Sequence, residues 1–395
     1  MTPTPASTSV PRASACTAVS HLVLLSLLCS ALGAPAVRAQ SSAPATPASA
    51  FSYFGDIRLR YEWDWDSQNA AGAPRADRDR ARARVRLGAG YKFDSHWSVG
   101  ARVRTGDRDG QQSPHLTFHA SDDITDDLEV ALDRYFLQFK RDGLTAWGGR
   151  NSTPFWQQNE MVWDEDVTPT GIAASYQHKL EDGASVTATG GAFALPDGMT
   201  HLNGRLYGAQ VKYTRSIAPS QFTAAATLYQ FDGEEGARFL RNRNGARDYL
   251  IGVASAEWTT PVSGRPLAIG VDLIKNFENY SAAEVAPLAA RHADETNGYV
   301  FSVQWGSLKN AHDWFAGYSY AHIETLAVNA SFSQDDWARF GSGPQSDLTD
   351  IKGHELRAGY AFTKNLNLMA RLFLVDAITS IQDGKRFRVD LNFKF

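Results

Sequence analysis

The chain has 395 residues, 43% of them hydrophobic and 21% charged, with a formal net charge of −4. No stretch after residue 40 approaches the ~20 apolar residues of a membrane helix, so a helical membrane protein is excluded. A membrane β-barrel is not excluded, because its strands are only half apolar, and 11% aromatic residues with 32 glycines suit strands and turns.

The first forty residues read as a targeting segment. Arg12 precedes a short apolar run, Leu22 to Leu32, which is too short to span a membrane. Small residues follow, and Val37-Arg38-Ala39 before Gln40 fits a cleavage site. Residues 1–39 are therefore expected to be a cleaved signal peptide and 40–52 a small-residue, Pro-containing flexible leader. Cleavage removes Arg12 and Arg38 and takes the net charge from −4 to −6. It also removes Cys16 and Cys29, leaving no thiol, disulfide or cysteine metal site.

From residue 53 the pattern has a period of two. Tyr53, Gly55, Ile57, Leu59, Tyr61, Trp63 and Trp65 alternate with Phe54, Asp56, Arg58, Arg60, Glu62 and Asp64. Strand side chains point alternately to opposite faces, so one face is apolar and the other charged. Next, Arg78, Arg80, Arg82, Arg84 and Arg86 alternate with Asp79, Ala81, Ala83, Val85 and Leu87. A helix would scatter these arginines all round. Alternation continued along the chain predicts sixteen strands: 54–65, 78–93, 96–106, 129–141, 144–151, 171–180, 184–194, 205–215, 221–231, 247–260, 266–277, 297–306, 312–323, 352–363, 366–376 and 385–395.

Every second connection is short, as at Asp94-Ser95, Asp142-Gly143 and Lys364-Asn365. The others are longer and polar, up to Glu324–Ile351. Short turns at one end and long loops at the other predict an all-β fold: a transmembrane antiparallel β-barrel of about 16 strands over 53–395, with short periplasmic turns and long extracellular loops. A soluble sandwich has no such rule and must bury its apolar face against a second sheet. Aromatic residues near strand ends, among them Trp63, Trp97, Trp258, Trp305, Trp314 and Tyr360, are placed as interface girdles would be. The final strand carries Phe387, Phe393 and Phe395 and resembles the carboxy-terminal signal read by the barrel-insertion machinery of the outer membrane.

Several stretches resemble the Gram-negative outer-membrane putative porin family: Gly55 to Glu62, Arg84 to Gly88, Gly149-Arg150-Asn151 with Pro154-Phe155-Trp156, Val162 to Gly171, and Arg386 to Phe395. The likeness spans 55–395 and implies a channel across the outer membrane. It does not fix the solute.

Arg58, Arg60, Arg78, Arg80, Arg82, Arg84, Arg86, Arg102 and Arg104, joined by Arg150, are expected to line the lumen. Burying a lone charge costs several kcal/mol, so water or nearby carboxylates must compensate them. A water-filled channel is favoured over a packed interior. The loop 152–170 carries Glu160, Asp164, Glu165 and Asp166. By analogy with sixteen-stranded general porins it is expected to fold inward and set these acids opposite the arginines. Opposed charges across an aqueous gap would favour small dipolar solutes. The bland alternative is an external loop whose acids bind divalent cations or pair with lipopolysaccharide.

The expected function is passive diffusion of small hydrophilic solutes or ions through this pore. The alternatives are a substrate-specific channel for an oligosaccharide or polysaccharide and, behind it, a barrel hydrolase. Metalloprotease, nucleophile-elbow and phosphate-loop motifs are missing from the sequence, so no enzyme activity, catalytic residue, metal or cofactor is expected. His115 and His119 share a loop with Asp122 and Asp123, a composition usual for solvated loops. The expected partners are outer-membrane lipids, lipopolysaccharide and the insertion machinery, with a homotrimer as the oligomeric state by analogy. Nucleic acid is excluded, since the basic runs alternate on strands and the mature chain is acidic.

Overall fold

The computed structural model describes residues 50–181, 183–233, 248–280, 292–337 and 349–395. The expected signal peptide and the leader up to residue 49 lie outside these. Among the described residues there are seventeen strands: β1 (Phe51–Gln68), β2 (Arg78–Lys92), β3 (Trp97–Thr105), β4 (Leu116–Ala120), β5 (Val130–Arg141), β6 (Leu144–Arg150), β7 (Thr170–Lys179), β8 (Ser185–Asp197), β9 (His201–Ile217), β10 (Ser220–Asp232), β11 (Tyr249–Val262), β12 (Arg265–Asn276), β13 (Asn297–Gly306), β14 (Trp314–Ile323), β15 (Ile351–Ala361), β16 (Leu366–Ala377) and β17 (Asp383–Lys394). Neighbours pair antiparallel throughout, and β17 returns to β1, so no edge is left open.

Seventeen strands make sixteen staves. Both β3 and β4 lie against β2, with Arg86 opposite Arg104 and Ala83 opposite Leu116. The chain leaves the wall over residues 106–115 and rejoins it on the same line. Alternation shows the first half of this stave and misses β4, because a ten-residue excursion interrupts the period. The strand bounds otherwise agree closely with those read from alternation. The largest extensions are in β1, at both ends, and in β9, which runs on from β8 as a hairpin pairing Pro196 with Leu202.

The two faces sort as period two requires. Leu59, Tyr61, Trp63, Leu87 and Val103 are exposed outward, while Asp56, Arg60, Glu62, Asp64 and Arg84 are buried inward. Outward aromatic residues sit near the short-turn end, including Phe93, Trp97, Trp258, Tyr360 and Phe362, as an interfacial belt would.

Beside its charged wall the lumen carries a packed apolar region, which alternation did not predict. The inner faces of β8 to β12 are apolar at one level, with Phe193, Leu206, Tyr229, Phe231, Tyr249 and Ile251 all buried. Phe155 and Trp163 of the loop after β6 and Phe332 of the loop after β14 pack on them. Trp163 and Phe332 stack at 5.7 Å, and both stack on Phe231. An apolar patch inside a barrel would be costly in water, and the inward loops cover it.

Candidate functional site: an arginine wall and three inward loops

The charged wall follows from register. β1 and β2 place Arg58 opposite Arg84, Arg60 opposite Arg82, Glu62 opposite Arg80 and Asp64 opposite Arg78. Closure adds β17, with Asp390 opposite Arg60, Arg388 opposite Glu62 and Arg386 opposite Asp64. On the other side Arg104 lies beside Arg86, and Arg134 beside Arg102. Several of these pairs set like charges face to face, which is unfavourable unless carboxylates or water intervene.

Carboxylates intervene for part of the wall. Asp56 pairs with Arg84 at 2.8 Å and Arg86 at 2.7 Å. Asp64 pairs with Arg78 at 2.9 Å and Arg386 at 2.6 Å. Asp390 holds Arg60 at 2.7 Å, Asp133 holds Arg102 at 2.6 Å, and Glu62 holds Arg80. Arg58, Arg82, Arg104, Arg134 and Arg150 have no carboxylate within 4.0 Å among the described residues. Arg58 donates to Asn392 at 2.6 Å, Arg82 to the Ser113 hydroxyl at 2.9 Å and Arg134 to Asn151 at 2.9 Å. Arg104 donates to the carbonyls of Asp166 and Gln111, and Arg150 to those of Thr168 and Met199. Neutral acceptors solvate these guanidiniums without cancelling their charge.

The loop between β6 and β7, residues 151–169, crosses the lumen. Gly149 turns the chain inward with φ +123°, and a Cβ there would stand 2.2 Å from the Tyr135 carbonyl oxygen. The loop reaches the far wall, where the Trp156 amide donates to Gln210 at 2.9 Å and Gln158 accepts from Ser302 at 2.8 Å. It then returns to β2, where Asp166 meets Arg86 at 2.6 Å and Arg84 at 3.3 Å. Burial opposes ionisation of Asp166, yet Arg84, Arg86 and Arg104 hold its carboxyl below the usual carboxylate range.

The four loop acids do not share one role. Glu165 is largely exposed and lies 4.0 Å from Arg84. Asp164 makes no ion pair within 4.0 Å among the described residues, and Glu160 lines one cavity with Arg357 and Arg371 rather than facing Arg84 and Arg86. Burial, with Asp335, Glu160 and Asp166 nearby, pushes Asp164 well above the ordinary range. Burial and Glu165 push Glu160 up to about 8. Both shifts favour the protonated form, and Asp166 supplies the loop's buried negative charge against Arg84 and Arg86.

Two more segments meet this loop, and alternation gave no sign of either. In the excursion 106–115, the Gln111 side chain donates to the Ser331 carbonyl at 2.6 Å and that of Gln112 to the Ala330 carbonyl at 3.1 Å. In the loop after β14, the Phe332 carbonyl accepts from the Asp164 amide at 2.8 Å. Asp336 in the same loop reaches Arg60 at 3.5 Å, Arg371 at 3.2 Å and Arg388. Burial opposes its charge, but Arg388, Arg60 and Arg371 hold it well below the ordinary range. Arg371, Arg386 and Arg388 extend the wall beyond the arginines chosen from sequence. The alternation of 386–394 carried that signal once closure set β17 beside β1. His115 is buried near Arg60 and Arg82, which with burial push its pKa well down, whereas His119 faces Asp79 at 3.5 Å, so the two histidines share no site. No group of metal-binding side chains occurs among the described residues.

A closed antiparallel barrel of sixteen staves, apolar outside and charged within, defines an outer-membrane porin channel. The chain belongs to the putative porin family, whose model matches residues 67–245 and 250–395. No relative among curated proteins matches the sequence. The fold is similar to that of Pseudomonas putida OprB, at TM-score 0.55 and 10% identity over 88% of this chain and 94% of that one. It is also similar to Salmonella typhi OmpF, solved as a complex with daunomycin, at TM-score 0.50 and 14% identity over 87% and 97%. A loop-deletion mutant of Vibrio cholerae OmpT matches at TM-score 0.50 and 10% identity over 87% and 99%.

Proposed function

We propose that this porin passes small hydrophilic solutes and ions by diffusion between the arginine wall and the loop 151–169, with a preference for anions. The observation that carries the reading is the surplus of guanidinium charge: Arg58, Arg82 and Arg104 face the lumen with neutral partners, while Asp166 is already engaged by Arg84 and Arg86. A field of one sign, focused between low-dielectric walls, raises the local concentration of opposite charge. Asp166 contacts the wall directly, so the selectivity is that of a basic constriction rather than of opposed charges across a gap. Planar-bilayer recording of the purified protein tests this. Stepwise conductance that scales with salt supports the reading, and a barrel that inserts without conductance steps contradicts it.

Assembly as a homotrimer in the outer membrane is the second part of the proposal. A groove on the outer side of β5 to β8 is floored by Ala146, Gly148, Ala174, Gly190 and Ala192 and rimmed by Trp97 and Phe139. Small side chains there would let a second barrel approach closely. Cross-linking in native membranes that gives only monomer contradicts this. Cleavage after Ala39 and reading of Phe387, Phe393 and Phe395 by the insertion machinery complete the proposal. A mature amino terminus other than Gln40, or normal assembly of a Phe395→Ala chain, would overturn the respective part.

A further inference from the structure

We propose that a cavity under the inward loops is a binding subsite for a small, neutral, polyhydroxylated solute about the size of one sugar ring. The proposal rests on the porin reading and names a solute class for that pore. The cavity has a volume of about 170 Å³ and lies between residues 158–161, residues 334–337 and the inner faces of β13 to β16. A cavity near 150 Å³ accepts one six-membered ring.

Its chemistry is one-sided. Gln334 Nε2 and Arg357 Nε are buried donor atoms that line it and have no hydrogen-bond partner, Arg357 Nε standing 3.8 Å from Glu355, while Gln158 Nε2 lies toward Asp272. The two amides are oriented by their oxygens. Gln158 Oε1 accepts from Ser302, and Gln334 Oε1 accepts from the backbone amides of Asp336 and Trp337. The Arg357 guanidinium is fixed over the Phe315 ring at 5.4 Å. The two ionised carboxylates in the lining are already engaged: Arg371 holds Glu355 at 2.5 Å and Asp336 at 3.2 Å. An occupant must therefore bring acceptors.

Charge argues for a neutral one. Arg357 and Arg371 are balanced in the lining by Glu355 and Asp336, and Glu160 carries its proton below about pH 8. Trp337 supplies a flat apolar surface beside the donors. A ring bearing hydroxyls reproduces the hydrogen bonds of the water it displaces, whereas an apolar ring of the same size leaves the Gln334 and Arg357 donors unpaired.

The test is calorimetric titration of the full chain, refolded in detergent, with D-glucose and with cyclohexanol as the apolar ring of like size. Saturable glucose binding with no response to cyclohexanol is expected. Arg357→Met and Gln334→Glu, each checked for native β-sheet circular dichroism, are expected to weaken glucose binding about tenfold, the effect of one lost hydrogen bond to a charged or buried group. If Arg357→Met does not fold, Gln334→Glu decides, since its Oε1 still accepts from Asp336 and Trp337 while the donor is gone. Absence of saturable glucose binding, equal binding by cyclohexanol, or undiminished affinity in the folded variants overturns the proposal. Bilayer conductance is measured separately: a barrel that binds glucose but does not conduct contradicts the porin reading and upholds the subsite.

Discussion

Asp166 and Arg86 meet at 2.6 Å, joining a loop that leaves the wall at β6 to a side chain on β2. Their contact closes one side of the lumen. Arg84 and Asp56 extend it into a four-membered network, so each charge is compensated within a few ångströms.

Asp166→Asn removes the network's loop-borne charge and leaves Arg84 and Arg86 to Asp56 alone. Breaking a buried pair from one side costs about 3–5 kcal/mol, here directed at loop docking rather than at the barrel. The expected outcome is larger and noisier single-channel conductance, with ion preference moved toward anions. Unchanged traces in bilayers would show that the loop does not restrict the path.

Trp163 is fully buried and stacks on both Phe231 and Phe332, which also stack on each other. Trp163→Ala removes the apolar anchor of the same loop, at about 3–5 kcal/mol. The barrel should still insert and conduct, with loop 151–169 newly open to proteolysis. Protease resistance equal to the parent protein contradicts the anchoring role.

The docked loops have a pH dependence whose sign is fixed by two kinds of carboxyl. Glu160 is raised from 4.5 to about 8, so the docked state binds more protons than the undocked one between those values. Stability of docking is therefore full below about pH 4.5 and is lost as pH rises toward 8; Asp164 shifts in the same direction. Asp166 and Asp336 are lowered, and their contribution is lost only on acidification below the ordinary carboxylate range. Conductance noise should grow as pH rises from about 4.5 to about 8, and Glu160→Gln should flatten that rise. A flat profile in the parent protein would contradict it.

Leu59 faces outward near the middle of β1, opposite Leu391. Leu59→Arg should destabilise the folded barrel in lipid by about 2–4 kcal/mol, read from denaturant titration in vesicles. Arg60→Leu, one residue away on the inner face, should change ion selectivity as well as stability, since Arg60 touches Asp390 and Asp336.

Much of this fold is legible in the sequence because a barrel is written in a local period. Tyr61 and Glu62 reveal their faces by alternating, and short turns such as Asp142-Gly143 fix which strands are adjacent. What happens inside the lumen is not local. Asp164 and Asp166 are two residues apart and identical, yet burial and Asp335 push one carboxyl up while Arg84 and Arg86 hold the other down. That split is decided by side chains some eighty residues upstream and one hundred and seventy downstream. The loop carrying Asp336 was visible only as the longest connection, and the excursion 106–115 only as a polar stretch. The two meet each other through backbone carbonyls and glutamine amides, groups that leave no pattern in a sequence.

The central claim is that unneutralised arginines govern passage, and reversal potentials under a potassium chloride gradient test it most directly. The parent protein should prefer chloride. Replacing Arg58, Arg82 and Arg104 together by glutamine should move the reversal potential toward the cation side, and more so at low ionic strength, where the screening length is about 30 Å at 0.01 M against about 10 Å at 0.1 M. A parent channel that prefers potassium, or a triple variant whose reversal potential does not move, would contradict the account.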